Sequence, residues 1–261
     1  MSDVVRLRRP PPDFRRAVVT EVALRTPRLA TITLTGPELV GFEVDEPAAS
    51  LRLLLPRGGV GTSLEVPEWD GNEFRFADGA RPPIRTLTPL AVDAAVGSVE
   101  VDVVLHGEGA LSTWAAAQPV GDQVAVSGPG RGYEVDPDAE RFLVVGDESA
   151  LPAIGQLLGV LPQHAHIDVI VEVGDTAARI DLPAHPGADV RWCDLGADDA
   201  PGSAMLREVE GLSTPDGVRV WAAGEAAGVQ RLRNLLSKER GLPRSQTVIR
   251  GYWKHGRTGA G

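Results

Sequence analysis

The chain carries two different hydrophobic patterns, which divide it near residue 135. Before that point, short runs of alternating apolar and polar residues are separated by Gly, Pro and Asp, a pattern typical of antiparallel strands. After it, continuous apolar runs such as 142–145 are followed by apolar residues at helical spacing, including Leu151, Ile154 and Leu158. The first half is therefore predicted to be all-β, and the second to be a parallel sheet covered by helices.

The first half has evenly spaced strand patterns, which predict a small antiparallel β-barrel. The predicted strands are 17–25, 30–34, 50–55, 73–76, 84–87, 99–105 and 123–126. A single helix is expected at 111–117, beginning near Ser112.

The second half is organised around a strand, turn and helix unit over residues 142–161. Its helix is expected to begin near Ser149, because Pro152 then falls in the first turn, where its missing N–H has no intrahelical partner. Further strands are predicted at 167–173, 189–193, 218–222 and 247–249, and further helices at 204–209 and 226–239. We therefore predict two domains, an N-terminal antiparallel β-barrel (1–135) followed by an α/β domain with a parallel sheet (136–261).

Charge and cysteine content exclude several classes of protein. With 26 Lys and Arg against 36 Asp and Glu, the formal net charge is −10, which argues against nucleic acid or an anionic membrane as the main partner. Cys193 is the single cysteine, so no internal disulfide or thiolate metal site is expected, and a cytoplasmic location fits. Residues 1–16 lack the continuous apolar core of a signal peptide, and no stretch predicts membrane insertion.

Three motifs in order along the chain resemble one family. Residues 81–89 read Arg-Pro-Pro-Ile-Arg-Thr-Leu-Thr-Pro, residues 146–154 read Gly-Asp-Glu-Ser-Ala-Leu-Pro-Ala-Ile, and residues 251–256 read Gly-Tyr-Trp-Lys-His-Gly. Together they resemble the siderophore-interacting proteins, relatives of ferredoxin reductase that carry FAD on a barrel. Weaker similarity lies at 104–107, 112–115, 121–122 and 221–225, so the resemblance extends from about residue 15 to 257.

The resemblance implies that Arg85, Thr86, Leu87 and Thr88 form the flavin-binding strand. In the family the Arg lies near the FAD pyrophosphate, a Tyr lies against the isoalloxazine, and the Thr bonds toward its reactive edge. Here Leu87 replaces that Tyr, and Leu90 replaces an Arg that often follows. Leu87 still offers an apolar face to a ring, although without aromatic stacking.

A second flavin contact is implied at the start of the predicted barrel helix, where Gly109 and Ser112 precede Trp114. A glycine lets the backbone approach a ligand closely, and helix-start amides with a hydroxyl can meet a phosphate. Without the resemblance, the residues favour a capped helix that packs Trp114 into the barrel. His106, also implied in the site, could equally be a hydrogen-bonded structural residue.

In the second domain the resemblance implies a crevice for the nicotinamide end of NADH or NADPH. Its residues would be Asp147, Ser149, Ala150, Gly224 and Glu225, with the C-terminal tail returning to the flavin site through Trp253. The chain has no Gly-x-Gly-x-x-Gly fingerprint, so a simple dinucleotide-binding dehydrogenase is disfavoured.

An anionic ferric siderophore needs positive charge at the mouth of the flavin pocket. Three residues match the basic positions of the family: Arg52, Arg131 and Lys254. Arg52 lies between leucines on an otherwise apolar strand, so it must point outward or into a polar cleft.

The resemblance therefore implies an FAD-dependent ferric-siderophore reductase that uses NADPH or NADH. Hydride would pass to the flavin, which would deliver single electrons to Fe(III), with no side chain acting as acid, base or nucleophile. Two alternatives stay open at this point. The first is a siderophore-binding protein of the same fold with weak or lost flavin binding, and the second is a flavin oxidoreductase with another acceptor. The sequence leaves the siderophore, the donor and the oligomeric state undetermined.

Overall fold

The computed structural model of the protein describes residues 13–256. An antiparallel half-barrel sheet comes first, and a parallel five-stranded sheet follows. This order confirms the predicted fold class. Most of the basic N-terminal segment, including Pro10 to Pro12, lies outside the described residues.

The N-terminal sheet curls until its two edges meet. Its strand order is β6-β3-β9-β1-β2-β8-β7, and the edge strands β6 and β7 are consecutive segments separated in the chain only by Thr88. The elements are β1 (Arg15–Thr26), β2 (Leu29–Thr35), β3 (Leu51–Leu54), β4 (Glu68–Trp69), β5 (Phe74–Arg75), β6 (Ile84–Leu87), β7 (Pro89–Asp93), β8 (Ser98–Val104), α1 (Ala110–Ala116) and β9 (Gln123–Ser127). Alternate residues such as Val19, Ile32, Leu53 and Val101 fill the inside of the sheet.

Two sequence predictions about this sheet were wrong. The predicted strand 73–76 contributes only Phe74–Arg75, which pairs with Glu68–Trp69 in a separate two-stranded hairpin. The strand β7 was missed, because Pro89 reads as a break. A proline is tolerated at the first residue of a strand, where the ladder does not need its N–H.

The second sheet has the order β12-β11-β10-β13-β14, and every neighbouring pair is parallel. Its elements are β10 (Arg141–Asp147), α2 (Leu151–Val160), β11 (His166–Val173), β12 (Ala188–Asp194), α3 (Ser203–Gly211), β13 (Arg219–Glu225), α4 (Ala226–Asn234) and β14 (Thr247–Trp253). The helix α2 begins two residues later than expected, because Glu148–Ala150 form a 3-10 turn capped by the Asp147 side chain. The helix α4 ends at Asn234, and a wider π-helical turn covers Leu235–Glu239.

Polar side chains join the two sheets. The Gln156 side chain accepts a hydrogen bond from the Ala48 N–H at 2.8 Å and donates one to the Pro89 carbonyl at 2.7 Å. Arg28 Nε lies 3.1 Å from both carboxylate oxygens of the buried Glu148. Because Glu148 lies just before α2 and Gln156 lies within it, these contacts fix the helix against the barrel.

Candidate functional site

The buried carboxylate of Asp147 lies at the carboxyl end of β10 and collects four hydrogen bonds. It accepts from Ser149 N at 2.9 Å, Ser149 Oγ at 2.5 Å, Glu225 N at 2.8 Å and Trp253 Nε1 at 2.7 Å. Parallel strands place their carboxyl ends at one edge of the sheet, which is where open α/β sheets bind ligands. One carboxylate therefore ties together three segments of the chain at that edge.

Gly224 makes this arrangement possible. It has φ +154, and a Cβ added there would lie 2.6 Å from Asp147 Oδ2. A side chain at this position would therefore displace the carboxylate as well as strain the backbone.

Burial raises the pKa of Asp147 to about 6, even though its hydrogen bonds to Ser149 and Trp253 act in the opposite direction. Removing the carboxylate from water costs more than these donors return. Asp147 is therefore an acid that titrates close to neutral pH.

The last strand brings an aromatic pair from the α/β domain to the barrel. Tyr252 Oη lies 3.4 Å from Thr88 Oγ1, at the point where the two barrel edges meet. Burial raises the pKa of Tyr252, so its hydroxyl stays protonated and can donate. Trp253 follows it, bonded to Asp147 and 40% exposed.

Arg85 stands out on the barrel side of this seam. Its guanidinium is half-buried, and burial lowers the pKa of this group. Nη1 donates to the Ile84 carbonyl at 2.8 Å, yet no acidic side chain within residues 13–256 forms an ion pair with Arg85. A cation withdrawn from water without a counter-charge is unfavourable unless an anionic ligand supplies one.

The remaining positions of the predicted flavin strand differ in exposure. Thr86 is exposed, whereas Thr88 is buried. Leu87, the residue in the aromatic position of the family, is half-buried and packs against the barrel core. Leu90 lines a cavity of about 550 Å³ between the barrel and α2.

The second predicted flavin contact is partly structural. The Ser112 hydroxyl accepts a hydrogen bond from the His106 backbone N–H at 2.9 Å, and Gly109 (φ +77) is the N-cap residue of α1. Trp114 is 3% exposed in the barrel core and donates from Nε1 to Asp122 at 2.9 Å. Its position matches the alternative in which the helix packs Trp114 into the barrel, and not a contact with a ligand outside it. His106 and Gly109 border open space beside the helix start.

The three predicted basic residues are exposed, and no acidic side chain in the described part of the chain pairs with them. Arg52 lies between Thr86 and Ser127 in the sheet. The turn that carries Arg131 is bonded to the same region, since the Gly130 N–H donates to the Ser50 carbonyl at 2.6 Å. The structure thus brings Arg52 and Arg131 to one end of the barrel, while Lys254 lies on the C-terminal segment.

Sequence reasoning missed Arg250, which clamps the Arg131 turn. Its guanidinium donates to the carbonyls of Ala48 at 3.2 Å, Arg131 at 2.9 Å and Gly132 at 2.5 Å. The available signal was a cation that directly follows the apolar pair Val248 and Ile249 in β14. Its role depends on which carbonyls the barrel presents, and a single sequence does not contain that information.

Two kinds of feature are absent from residues 13–256. No group of three or more His, Cys, Asp or Glu side chains in this part of the chain could hold a metal ion. No helix there has the length and apolarity needed to cross a membrane.

Comparison with known proteins identifies the family. Residues 17–133 match the family model of the siderophore-interacting FAD-binding domain, and residues 139–256 match that of the siderophore-interacting protein. Among curated proteins, ferric vibriobactin reductase ViuB of Vibrio cholerae is 29% identical over 233 residues, which cover 88% of this chain and 85% of ViuB.

Solved structures agree with this result. A siderophore utilization protein from T. fusca superimposes with a TM-score of 0.82 at 32% identity and covers 95% of each chain. The siderophore-interacting protein SipS from Aeromonas hydrophila gives a TM-score of 0.74 at 26% identity, covering 94% of this chain and 100% of SipS. Both halves of the chain match in the family order, so the protein belongs to the siderophore-interacting protein family and contains its FAD-binding domain.

Proposed function

We propose that this protein is an FAD-dependent ferric-siderophore reductase that uses NADPH or NADH. The observation that carries the proposal is Arg85, a half-buried guanidinium without an acidic partner in the described residues, beside the seam between the two sheets. A pyrophosphate supplies the missing negative charge, and a guanidinium fork matches its oxygens.

The barrel residues fit an FAD. Arg85 would bind the pyrophosphate, with Gly109 and the exposed His106 beside it. There is space for a ligand at Gly109, because a Cβ added there would come within 4 Å only of His106 Cε1, at 3.8 Å. Thr86 and Leu87 would line the ring side. The hydroxyl of Thr88, held by Tyr252, would donate or accept at the flavin edge.

On the α/β side, the hydrogen bonds of Asp147 hold the nicotinamide side of the crevice in one arrangement. Ser149 would meet the dinucleotide through its half-exposed surface, while Ala150, Gly224 and Glu225 are buried and would contribute backbone groups. Trp253 is held at its indole N–H and leaves 40% of its surface free to cover a bound ring.

When bound, FAD would supply the redox chemistry that couples the two-electron donation of one reduced nicotinamide to the one-electron reduction of two Fe(III) ions. The chain's own contribution is electrostatic and positional. Arg52, Arg131 and Lys254 would attract the anionic chelate to the mouth of the site, and Arg250 would fix the turn that carries Arg131. We further propose that the reaction takes place in the cytoplasm, where the single unpaired cysteine stays reduced.

One observation favours a second candidate, a siderophore-binding protein without resident flavin. Leu87 stands where the family has an aromatic ring, and its side chain already packs against the barrel core. Stacking would then contribute less to FAD affinity.

The experiment is a visible absorption spectrum of the purified chain, followed by NADH and NADPH oxidation with a ferric catecholate and a ferric hydroxamate. A flavin spectrum and chelate-dependent oxidation of either nucleotide support the reductase. A chain that binds the chelates but stays colourless with added FAD is a binder. A flavoprotein that reduces quinones and not the chelates has another acceptor. The variant Leu87→Tyr separates loss of stacking from loss of the site, since it restores FAD binding only in the first case.

A further inference from the structure

The outer edge of the parallel sheet is a seven-residue strand that pairs on one side only. The strand β12 pairs with β11 from Ala188 to Asp194 in unbroken register, and no strand of residues 13–256 pairs with its other side. Proteins usually protect such an edge with charged side chains, above all lysine, or with a proline or a bulge. Residues 188–194 contain no proline, lysine or bulge, and their charged side chains are of both signs, so that they can pair with a second copy of the strand.

The backbone groups that face this free edge can be identified. Leu195 N–H donates to the Val173 carbonyl, and Ile167 N–H donates to the Gly187 carbonyl, so the odd-numbered residues of β12 turn their N–H and C=O toward β11. The even-numbered residues Ala188, Val190 and Trp192 therefore present theirs outward. A second strand could pair with them.

We propose that β12 is a homodimer contact, in which two copies pair their β12 strands antiparallel about a twofold axis at Val190. This register joins the two sheets into one of ten strands. Ala188 of each copy then forms a hydrogen-bonded pair with Trp192 of the other copy, and the two Val190 residues pair with each other. A twofold axis requires such a self-complementary surface.

Charge selects this register. With the axis at Val190, Asp189 of each copy lies opposite Arg191 of the other. Moving the axis by one residue in either direction sets Asp189 opposite Asp189 or Arg191 opposite Arg191, and like charges directly opposite each other are unfavourable. Within one copy, Arg191 lies 2.6 Å from Asp189 and 3.4 Å from Asp168, and His166 lies 3.5 Å from Asp168. This face therefore carries carboxylates with which the Arg191 of a second copy can also interact.

Side-chain size agrees on the opposite face. The register sets the large Trp192 opposite Ala188, and Val190, which is 36% exposed, opposite itself. A groove of about 290 Å³ lined by Leu182, Ala188, Val190 and Trp192 runs beside this edge. The second copy would cover these apolar side chains and leave the flavin seam at the other side of the sheet free.

Sedimentation equilibrium of the full chain tests the contact. We expect a reversible dimer that is weakened by salt. Asp189→Arg and Arg191→Asp should each raise its dissociation constant by at least about tenfold, since each variant converts two attractive pairs into two repulsive ones. The double variant Asp189→Arg with Arg191→Asp should dimerise as the parent does. A monomeric parent, or single variants that dimerise unchanged, would overturn the proposal.

A cross-link tests the register independently. Hydrogen-bonded residues in an antiparallel pair have Cα atoms about 5.5 Å apart, within the range of a disulfide. Val190→Cys should form a covalent dimer under mild oxidation. The control Val160→Cys, at the exposed end of α2, should not. The native Cys193 does not interfere, because burial raises the pKa of its thiol to about 12. Equal cross-linking of the two variants would contradict the assigned register.

Discussion

The two walls of the proposed flavin site treat buried charge in opposite ways. On the barrel wall, Arg85 has lost much of its water and has no acidic partner in the described chain. On the α/β wall, Asp147 is buried more completely, yet it accepts four hydrogen bonds from Ser149, Glu225 and Trp253. Burial favours the neutral form of each group, and it therefore lowers the pKa of Arg85 and raises the pKa of Asp147.

The difference indicates which wall needs a ligand. A buried polar group whose hydrogen bonds are all supplied by the protein holds the structure together, and disturbing it should lower the free energy of unfolding. Removing a charge that the protein leaves unpaired should instead lower the affinity for the ligand. Four predictions test this contrast.

The largest effect is expected at Arg85. Arg85→Ala should weaken FAD binding on the order of 100-fold, because a charge-assisted contact to a phosphate is lost, while the unfolding free energy should not fall. Titration of the flavin-free protein with FAD measures the affinity.

The matched control lies four residues earlier in the same segment. Arg81 is exposed and already pairs with Glu73 at 3.0 Å, so Arg81→Ala should leave FAD affinity unchanged. Equal losses in both variants would point to general electrostatics and would remove Arg85 from the site.

Next in size is Gly224→Ala. Its Cβ would lie 2.6 Å from Asp147 Oδ2, so we expect a loss of about 2–3 kcal/mol in unfolding free energy, measured by urea denaturation. Gly159→Ala is the control, because a Cβ there meets nothing within 4 Å and lies in α2, where alanine is favoured. If Gly224→Ala were as stable as Gly159→Ala, the packing around Asp147 would not be tight.

The third prediction concerns pH. The pKa of Asp147 is about 6 in the folded protein, against a reference value of 3.8, so its contribution to stability is fully present below about pH 4 and is lost as the pH rises through about 6. The stability difference between the parent and Asp147→Asn should therefore shrink over this window, by on the order of 2 kcal/mol.

Urea denaturation of both proteins from pH 4 to pH 7 measures that difference. Asp136 is the control, because the Arg219 hydrogen bond lowers its pKa from 3.8 and its contribution to stability is lost only below that pH, so the difference between the parent and Asp136→Asn should stay constant from pH 4 to pH 7. A constant difference between the parent and Asp147→Asn across the range would show that Asp147 does not titrate there.

The smallest effect is expected at Arg52, which is exposed and screened by solvent. Arg52→Glu should weaken binding of an anionic ferric siderophore by about five- to tenfold and leave FAD content unchanged. Tryptophan fluorescence titration with the ferric chelate at low and high salt measures both the affinity and its screening. Equal affinities for the variant and the parent would remove Arg52 from the site.

Local pattern in the sequence was enough to determine the fold class and most of the elements. Period-two alternation in the first half and buried runs followed by helical spacing in the second are dictated by chain geometry, so the barrel and the parallel sheet could be predicted. The start of α2 and the strand at Pro89 could not be predicted, because both depend on small backbone details. A 3-10 turn capped by Asp147 precedes the helix, and the strand begins at a position that does not need an N–H.

The tertiary structure alone decided which side chains meet. Asp147 and Trp253 are 106 residues apart, and Thr88 and Tyr252 are 164 apart, yet each pair is in contact. Trp114 had two open readings in the sequence, and its burial against Asp122 favoured the barrel core. A sequence records which residues can carry charge or donate a hydrogen bond. Whether a given group is satisfied, as Asp147 is, or left for a ligand, as Arg85 is, depends on distances set only when the two sheets pack together.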